Sequence, residues 1–310
     1  MDHTLIRMLS TGRVGTKFVA GAFADQGYRA FHENLYAGEP SSAIIQYMRM
    51  LGDLWMENRD KYYALQSDFA KPYIDTVLEI LNTYRRVPTR SLRSFFLRKG
   101  ISGVESVVVH TANVLTLATP IIEKEAGKRG LAIKTLILFR NPLKTIHAIY
   151  TVEGPASAWG DPFHNWPSSF FCDEGVRGAA DIWAYTYRLA LDQQSYYGLR
   201  RFRVFQLEKF TADQNYAKQI FEFSGLDFDP GRFETFCQTE LNKPFRISKV
   251  QSVRNSHLFH NPDFVFSQIE IDAIFEQIKD VIADYEINWE ASVKDYLDFH
   301  AKEKKGVGFA

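Results

Sequence analysis

The sequence predicts an α/β protein: a mostly parallel central sheet flanked by helices, with a mainly helical insertion. Three observations predict it. Short apolar, β-branched runs each lead through a polar turn into a helical pattern, which is the alternation that builds a parallel sheet. Two of the runs, "SVVVH" and "TLILFR", are too apolar for a strand wet on one side, so both faces must be covered. Residues 41–99 then break the rhythm with a long helical stretch rich in aromatics, read as an insertion lying over the sheet within a single domain of residues 1–310.

The strands are expected near 4–9, 28–33, 105–110, 134–140 and 202–207, and helices over 15–25, 113–126, 142–151, 174–197 and 213–224. Trp183, Tyr185 and Tyr187 fall in a helical stretch and read as core. Within the insertion, "YRRVPTRSLRSFFLRKG" carries Arg85, Arg86, Arg90, Arg93, Arg98 and Lys99 and no acid; it is either a solvated face or a docking surface for an acidic acceptor. Residues 152–173, with prolines, glycines, two tryptophans and paired phenylalanines, have the composition of a structured loop over a site. Residues 301–310 read as a loose tail.

The chain has 310 residues, 45% hydrophobic, with 37 basic and 37 acidic side chains, so a general nucleic-acid binder is not expected and any anion site is local. Cys172 and Cys237 are far apart and read as reduced thiols. No apolar run approaches the ~18 residues of a membrane span, and the expected location is the cytoplasm. His257, His260 and Asp263 have a superficial metal-ligand look, but the loop around Pro262 and the lack of a third histidine argue against zinc.

The chemistry is expected at "STGRVGTKF", residues 10–18, where a strand meets a helix. Such a turn offers unpaired N–H groups and the positive end of a helix, so it takes phosphate or sulfate, although many such turns only start a helix. The spacing is neither G-x-x-x-x-G-K-[ST] nor G-x-G-x-x-G. A second apolar run ends in Arg140, Asn141 and Pro142. An arginine cannot ligate Mg²⁺, but its fork suits a second phosphate; alternatively it pairs with a carboxylate at the sheet edge. Ligands of open α/β sheets bind beyond the carboxyl ends of the strands, where Arg13, Glu33, His110 and Arg140 are all expected. Glu208 is expected at another strand end, in a helix-capping or structural role.

These segments resemble the sulfotransferase family, which uses 3′-phosphoadenosine 5′-phosphosulfate (PAPS) as sulfuryl donor. "STGRVGTKFVA" resembles its 5′-phosphosulfate loop and "LILFRNPLKTIHAIY" its 3′-phosphate segment, with "RVFQLEKFTAD" and "IFEFSGLDFD" in support. The resemblance implies a P-loop-like fold and a donor site of Arg13, Val14, Gly15, Thr16, Lys17 and Phe18 at one end and Arg140 at the other. Lys249 or Arg254 would add a basic contact. It implies 3′,5′-ADP as product, no metal, and a small-molecule or saccharide acceptor. Arg13 and Lys17 would face the charge that develops on the departing phosphate oxygen. Glu33 in "FHEN" is the expected base, with His110 as competitor. Ala148 stands where the family commonly has a serine, and Lys17 where a second threonine is frequent. The alternatives are an ATP-dependent small-molecule kinase and a nucleotide-binding module without catalysis.

Overall fold

The computed structural model describes residues 3–11, 14–32, 42–82, 107–111, 116–153, 176–241 and 264–304. Arg13, Glu33, Cys172, Lys249, Arg254, His257, His260 and Asp263 lie outside these residues, as do the basic stretch 84–100, residues 154–173 of the aromatic loop, and 305–310. His110 is described in its backbone alone.

Five strands form one sheet in the order β2-β3-β1-β4-β5: β1 Thr4–Leu9, β2 Arg29–His32, β3 Val107–Thr111, β4 Ala132–Phe139 and β5 Phe202–Gln206. Every pairing among them is parallel. Alternation along β1 sends Leu5 and Leu9 to one side and Ile6 and Met8 to the other, and all four are buried, so the central strand is covered on both faces.

One face carries α1 (Thr16–Asp25), whose Val19, Ala20 and Phe23 pack with Ile6 and Met8. That layer continues through α8 (Leu207–Ala212), α9 (Gln214–Ser224) and α10 (Pro230–Leu241), joined by Phe210, Phe221 and Phe233. The opposite face carries α2 (Ser42–Glu57), α3 (Arg59–Ala64) and α4 (Lys71–Asn82), which place Trp55, Tyr62 and Tyr73 against Leu5, Phe31 and Ile133. Arg29 pins this layer to β2 by donating to the Ile80 carbonyl at 2.7 Å. Beside it lie α5 (Thr119–Lys128), α6 (Pro142–Glu153), α7 (Val176–Tyr197), α11 (Gln268–Asp284) and α12 (Trp289–Lys304). Trp183, Tyr185 and Tyr187 are fully buried in α7, as the sequence reading expects.

Several boundaries differ from the sequence reading. The helix expected over 113–126 begins at Thr119, because Pro120 lacks an N–H and is tolerated only in a first turn. β5 ends at Gln206 and Leu207 opens α8, which brings the Phe205 and Phe210 rings to 5.5 Å in one core. β4 ends at Phe139, so Arg140 is the first residue past the sheet, and β3 runs one residue beyond His110. At the carboxyl end, α12 runs to Lys304, into the stretch read as a tail.

Arg7 is 2% exposed within an otherwise apolar strand, and its Nη1 donates to Thr119 Oγ1 at 3.4 Å. The Glu123 carboxyl of α5 is held by Arg201; burial raises its pKa, and Arg201 and then Arg7 oppose the rise. The cluster ties α5 to β1 and to the residue before β5. Cys237 is a free thiol that burial pushes up to about 11, so it is protonated at neutral pH. No helix among the described residues is long and apolar enough to cross a membrane.

Candidate nucleotide site

The strand order sets the place. The connection after β1 runs through α1 to β2 on one side, whereas the connection after β4 runs through α6 and α7 to β5 on the other. The two departures diverge and leave a crevice at the carboxyl ends of β1 and β4. Leu9, the last residue of β1, pairs with Ile137, so β4 runs two residues further before Arg140, on a strand about 4.8 Å away.

On the β1 side, Ser10, Thr11 and Val14 are buried beneath the turn. Gly15 takes the N-cap position of α1 with φ 89° and ψ 24°, a left-handed conformation that glycine adopts without steric cost. Its carbonyl accepts the Val19 N–H at 3.1 Å. A glycine has no side chain with which to cap the first N–H groups of the helix, and no acid lies in the first turn, so the positive end of α1 is left to a ligand or water. Thr16 is buried and Lys17 exposed. Phe18 leans on Phe236 of α10 with ring centroids 5.1 Å apart, so its side chain anchors the helix and only its backbone is placed to donate.

A Cβ on Gly15 would come within 2.6 Å of Leu207 Cδ2, so the turn lies directly against the start of α8. The next residue, Glu208, reaches the β4 side: its Oε1 accepts the Asn141 N–H at 2.9 Å and lies 3.9 Å from Arg140 Nε. The Gly15 turn, Leu207–Glu208 and Arg140 are therefore contiguous on one rim. The carboxylate partner anticipated for Arg140 is Glu208, and its capping role is toward α6. Burial lowers the Arg140 pKa, opposed first by Glu208 and then by Asp295, and the guanidinium stays charged.

Asn141 is the hub of this turn. Its Nδ2 donates to the Ser292 carbonyl and to Asp295 Oδ2, each at 2.9 Å, and its Oδ1 accepts the Lys144 N–H at 3.2 Å. Lys144 pairs with Asp295 at 2.7 Å. Asn141, Glu208 and Asp295 were not among the site residues expected from sequence; the only local signal was Asn141 one residue before a helix-opening proline.

Further along α6, Ala148 is half-buried and carries no hydroxyl, and His147 lies stacked on His300 of α12 with centroids 4.6 Å apart. The Tyr296 hydroxyl accepts the Phe266 N–H at 3.0 Å and is 2.8 Å from His147 Nδ1, to which it donates when the ring is neutral. Burial, and secondarily His300, lower the His147 pKa to about 4. The unfolded chain therefore binds the proton first as pH falls, and stability present above the unfolded value of about 6.5 is lost toward pH 4. Urea melts should show a loss of roughly 2 kcal/mol from about pH 7 to about pH 5 beyond that of His147→Phe; equal losses in the two proteins refute it.

His110 pairs at the rung of Arg7 and Phe31, two rungs below the one that Leu9 occupies, so its backbone lies deeper than the rim where the sequence reading put it. Among the described residues no group of three or more His, Cys, Asp or Glu is arranged to hold a metal ion.

No family model matches the sequence, and no curated protein matches it. Among solved structures the chain is similar to the sulfotransferase STF9 of Mycobacterium avium, with 11% identity, 93% of this chain and 78% of that one covered, and a TM-score of 0.46. It is also similar to the sulfotransferase domain of the Synechococcus PCC 7002 olefin synthase, with 12% identity, 90% and 94% covered, and a TM-score of 0.44. A third is retinol dehydratase, solved with androsterone and the inactive cofactor PAP, with 11% identity, 90% and 81% covered, and a TM-score of 0.39.

Proposed function

We propose that this protein transfers a sulfuryl group from PAPS to a hydroxyl or amine of a small-molecule or saccharide acceptor. The observation that carries the reading is the contiguity of the glycine-opened α1 N-terminus with the Arg140 guanidinium on one rim of the sheet. Two anion-holding groups on neighbouring strands suit a nucleotide with phosphates at both ends of its ribose.

When bound, PAPS supplies an electrophilic sulfuryl group on a phosphate leaving group. The N-terminus of α1, Gly15, Thr16 and Lys17 hold the 5′ end, with Val14 and Phe18 contributing backbone, and Arg140 holds the 3′-phosphate; Arg254 is the proposed further basic contact. Glu33 takes the acceptor proton as the acceptor heteroatom bonds to sulfur, with His110 as the competing base. Arg13 and Lys17 face the oxygen that gains charge as the old bond breaks, where fixed donors do most for the rate.

Calorimetric titration tests the binding half. Wild type should bind 3′,5′-ADP without Mg²⁺, and Arg140→Ala should weaken that binding by about 2 kcal/mol, near 30-fold, in a protein that still unfolds cooperatively. Equal affinity in the two proteins rejects the Arg140 assignment. Mg²⁺-dependent ATP binding with no response to 3′,5′-ADP would favour the kinase. Binding without sulfuryl transfer to any of a panel of acceptors would favour the module, a reading that Ala148 supports.

A further inference from the structure

The turn that carries Arg140 is tied down from two sides, by Glu208 at the start of α8 and by Ser292 and Asp295 of α12. Glu208 does two things with one carboxylate. Its Oε1 accepts the Asn141 N–H, and the same oxygen lies 3.9 Å from Arg140 Nε. Its Oε2 is buried with no hydrogen-bond partner. A carboxylate oxygen shut away from water and left without a donor is costly, and the cation beside it that offsets the cost is Arg140.

We propose that Glu208 is a positioning residue for the anion site: its oxygen fixes the backbone of the β4–α6 turn, and its charge holds the Arg140 guanidinium at the rim while reducing the field that an arriving phosphate meets. The proposal rests on the sulfuryl-transfer reading, which makes that phosphate the 3′-phosphate of the donor. The two contributions have opposite signs on affinity. The hydrogen bond pre-sets the turn and favours binding; the charge repels the anion and disfavours it. Glu208→Gln keeps an acceptor for the Asn141 N–H and removes the charge, Glu208→Ala removes both, and Glu208→Asp keeps the charge but shortens the reach to Asn141.

The experiment is titration of 3′,5′-ADP into wild type and the three variants at low and high KCl, with melting curves for each. Glu208→Gln should bind about 5-fold tighter at low salt, with the gain shrinking as salt screens the charge of a side chain that is 34% exposed. Glu208→Asp should bind about 5- to 10-fold more weakly, from the lost anchor of the turn, and Glu208→Ala, which loses the repelling charge as well, should fall between Asp and wild type. In turnover, the KM for PAPS should follow these affinities while kcat stays within about two-fold of wild type. A residue that merely stabilises the fold would weaken binding in all the variants in step with their melting temperatures, and that result overturns the proposal, as does unchanged affinity throughout. If Glu208→Ala does not fold, the contrast between Gln and Asp carries the same decision. A wild type that does not bind 3′,5′-ADP removes the sulfuryl-transfer reading and this proposal with it; a wild type that binds while Gln and Asp shift together removes this proposal alone.

Discussion

Gly15→Val is expected to destabilise the protein by about 3 kcal/mol and to abolish 3′,5′-ADP binding. Two costs add. At φ 89° an L-residue is strained, most of all a β-branched one, at roughly 1–3 kcal/mol. The new Cβ also meets Leu207 Cδ2 at 2.6 Å, a contact no real Cβ tolerates, so the leucine must give way. Leu207 is only half-buried and the clashing atom is the end of its side chain, so part of that second cost is recoverable. Gly15→Ala in a Leu207→Ala background separates the terms: relief of the contact should restore some stability, whereas the backbone strain persists. Nucleotide binding should not return, because a residue driven out of the left-handed region re-aims the first N–H groups of α1. Urea melts and titration of the single and double variants check this; a Gly15→Val protein that is as stable as wild type and binds normally refutes the role given to the turn.

Much of this was legible before any coordinates. "TLILF" followed by Arg140, Asn141 and Pro142 announces a buried strand, a polar exit and a helix that opens on proline, and β4 and α6 lie there. Glycines between an apolar run and the small-residue helix "TKFVAGAFAD" likewise announce the β1 turn. Ser267 and Glu270 form a capping box whose spacing is readable from sequence and marks the start of α11.

What the residue string does not carry is long-range pairing. Glu208 reaches Asn141 across 67 positions, and the Asn141 amide reaches Asp295 across 154. Neither pair has a local signature, because a glutamate after a strand is equally a helix-starting acid. Arg7 was hidden in the same way: an arginine inside "TLIRML" looks like a solvent-facing position, yet it is buried, with Thr119 and Glu123 brought to it by α5.

Glu33→Gln is expected to lower kcat for sulfuryl transfer by about 100- to 10,000-fold while leaving 3′,5′-ADP affinity within about two-fold of wild type. The argument rests on the order of strands along the rim. With β2-β3-β1-β4, a residue leaving β2 is two strand spacings, about 10 Å, from the β1 turn, and Arg140 is one spacing beyond it on the opposite side. That order of strands suits the proposed sulfuryl transfer, which calls for a proton acceptor, then the group in transfer, then the far phosphate of the donor. Depth along the strand separates the two possible bases. His32, the last residue of β2, pairs at the rung of Met8 and Thr111, one below the Leu9 rung where β1 ends. The backbone of His110 lies two rungs below Leu9, roughly 7 Å along the strand, at the level of the buried Arg7. His110→Ala should accordingly leave kcat within a few-fold of wild type. A general base also gives kcat an acid limb, which Glu33→Gln should remove along with the rate. If instead His110→Ala loses turnover and Glu33→Gln keeps both the rate and the limb, then the base comes from β3, and the acceptor approaches over the strand next to β1.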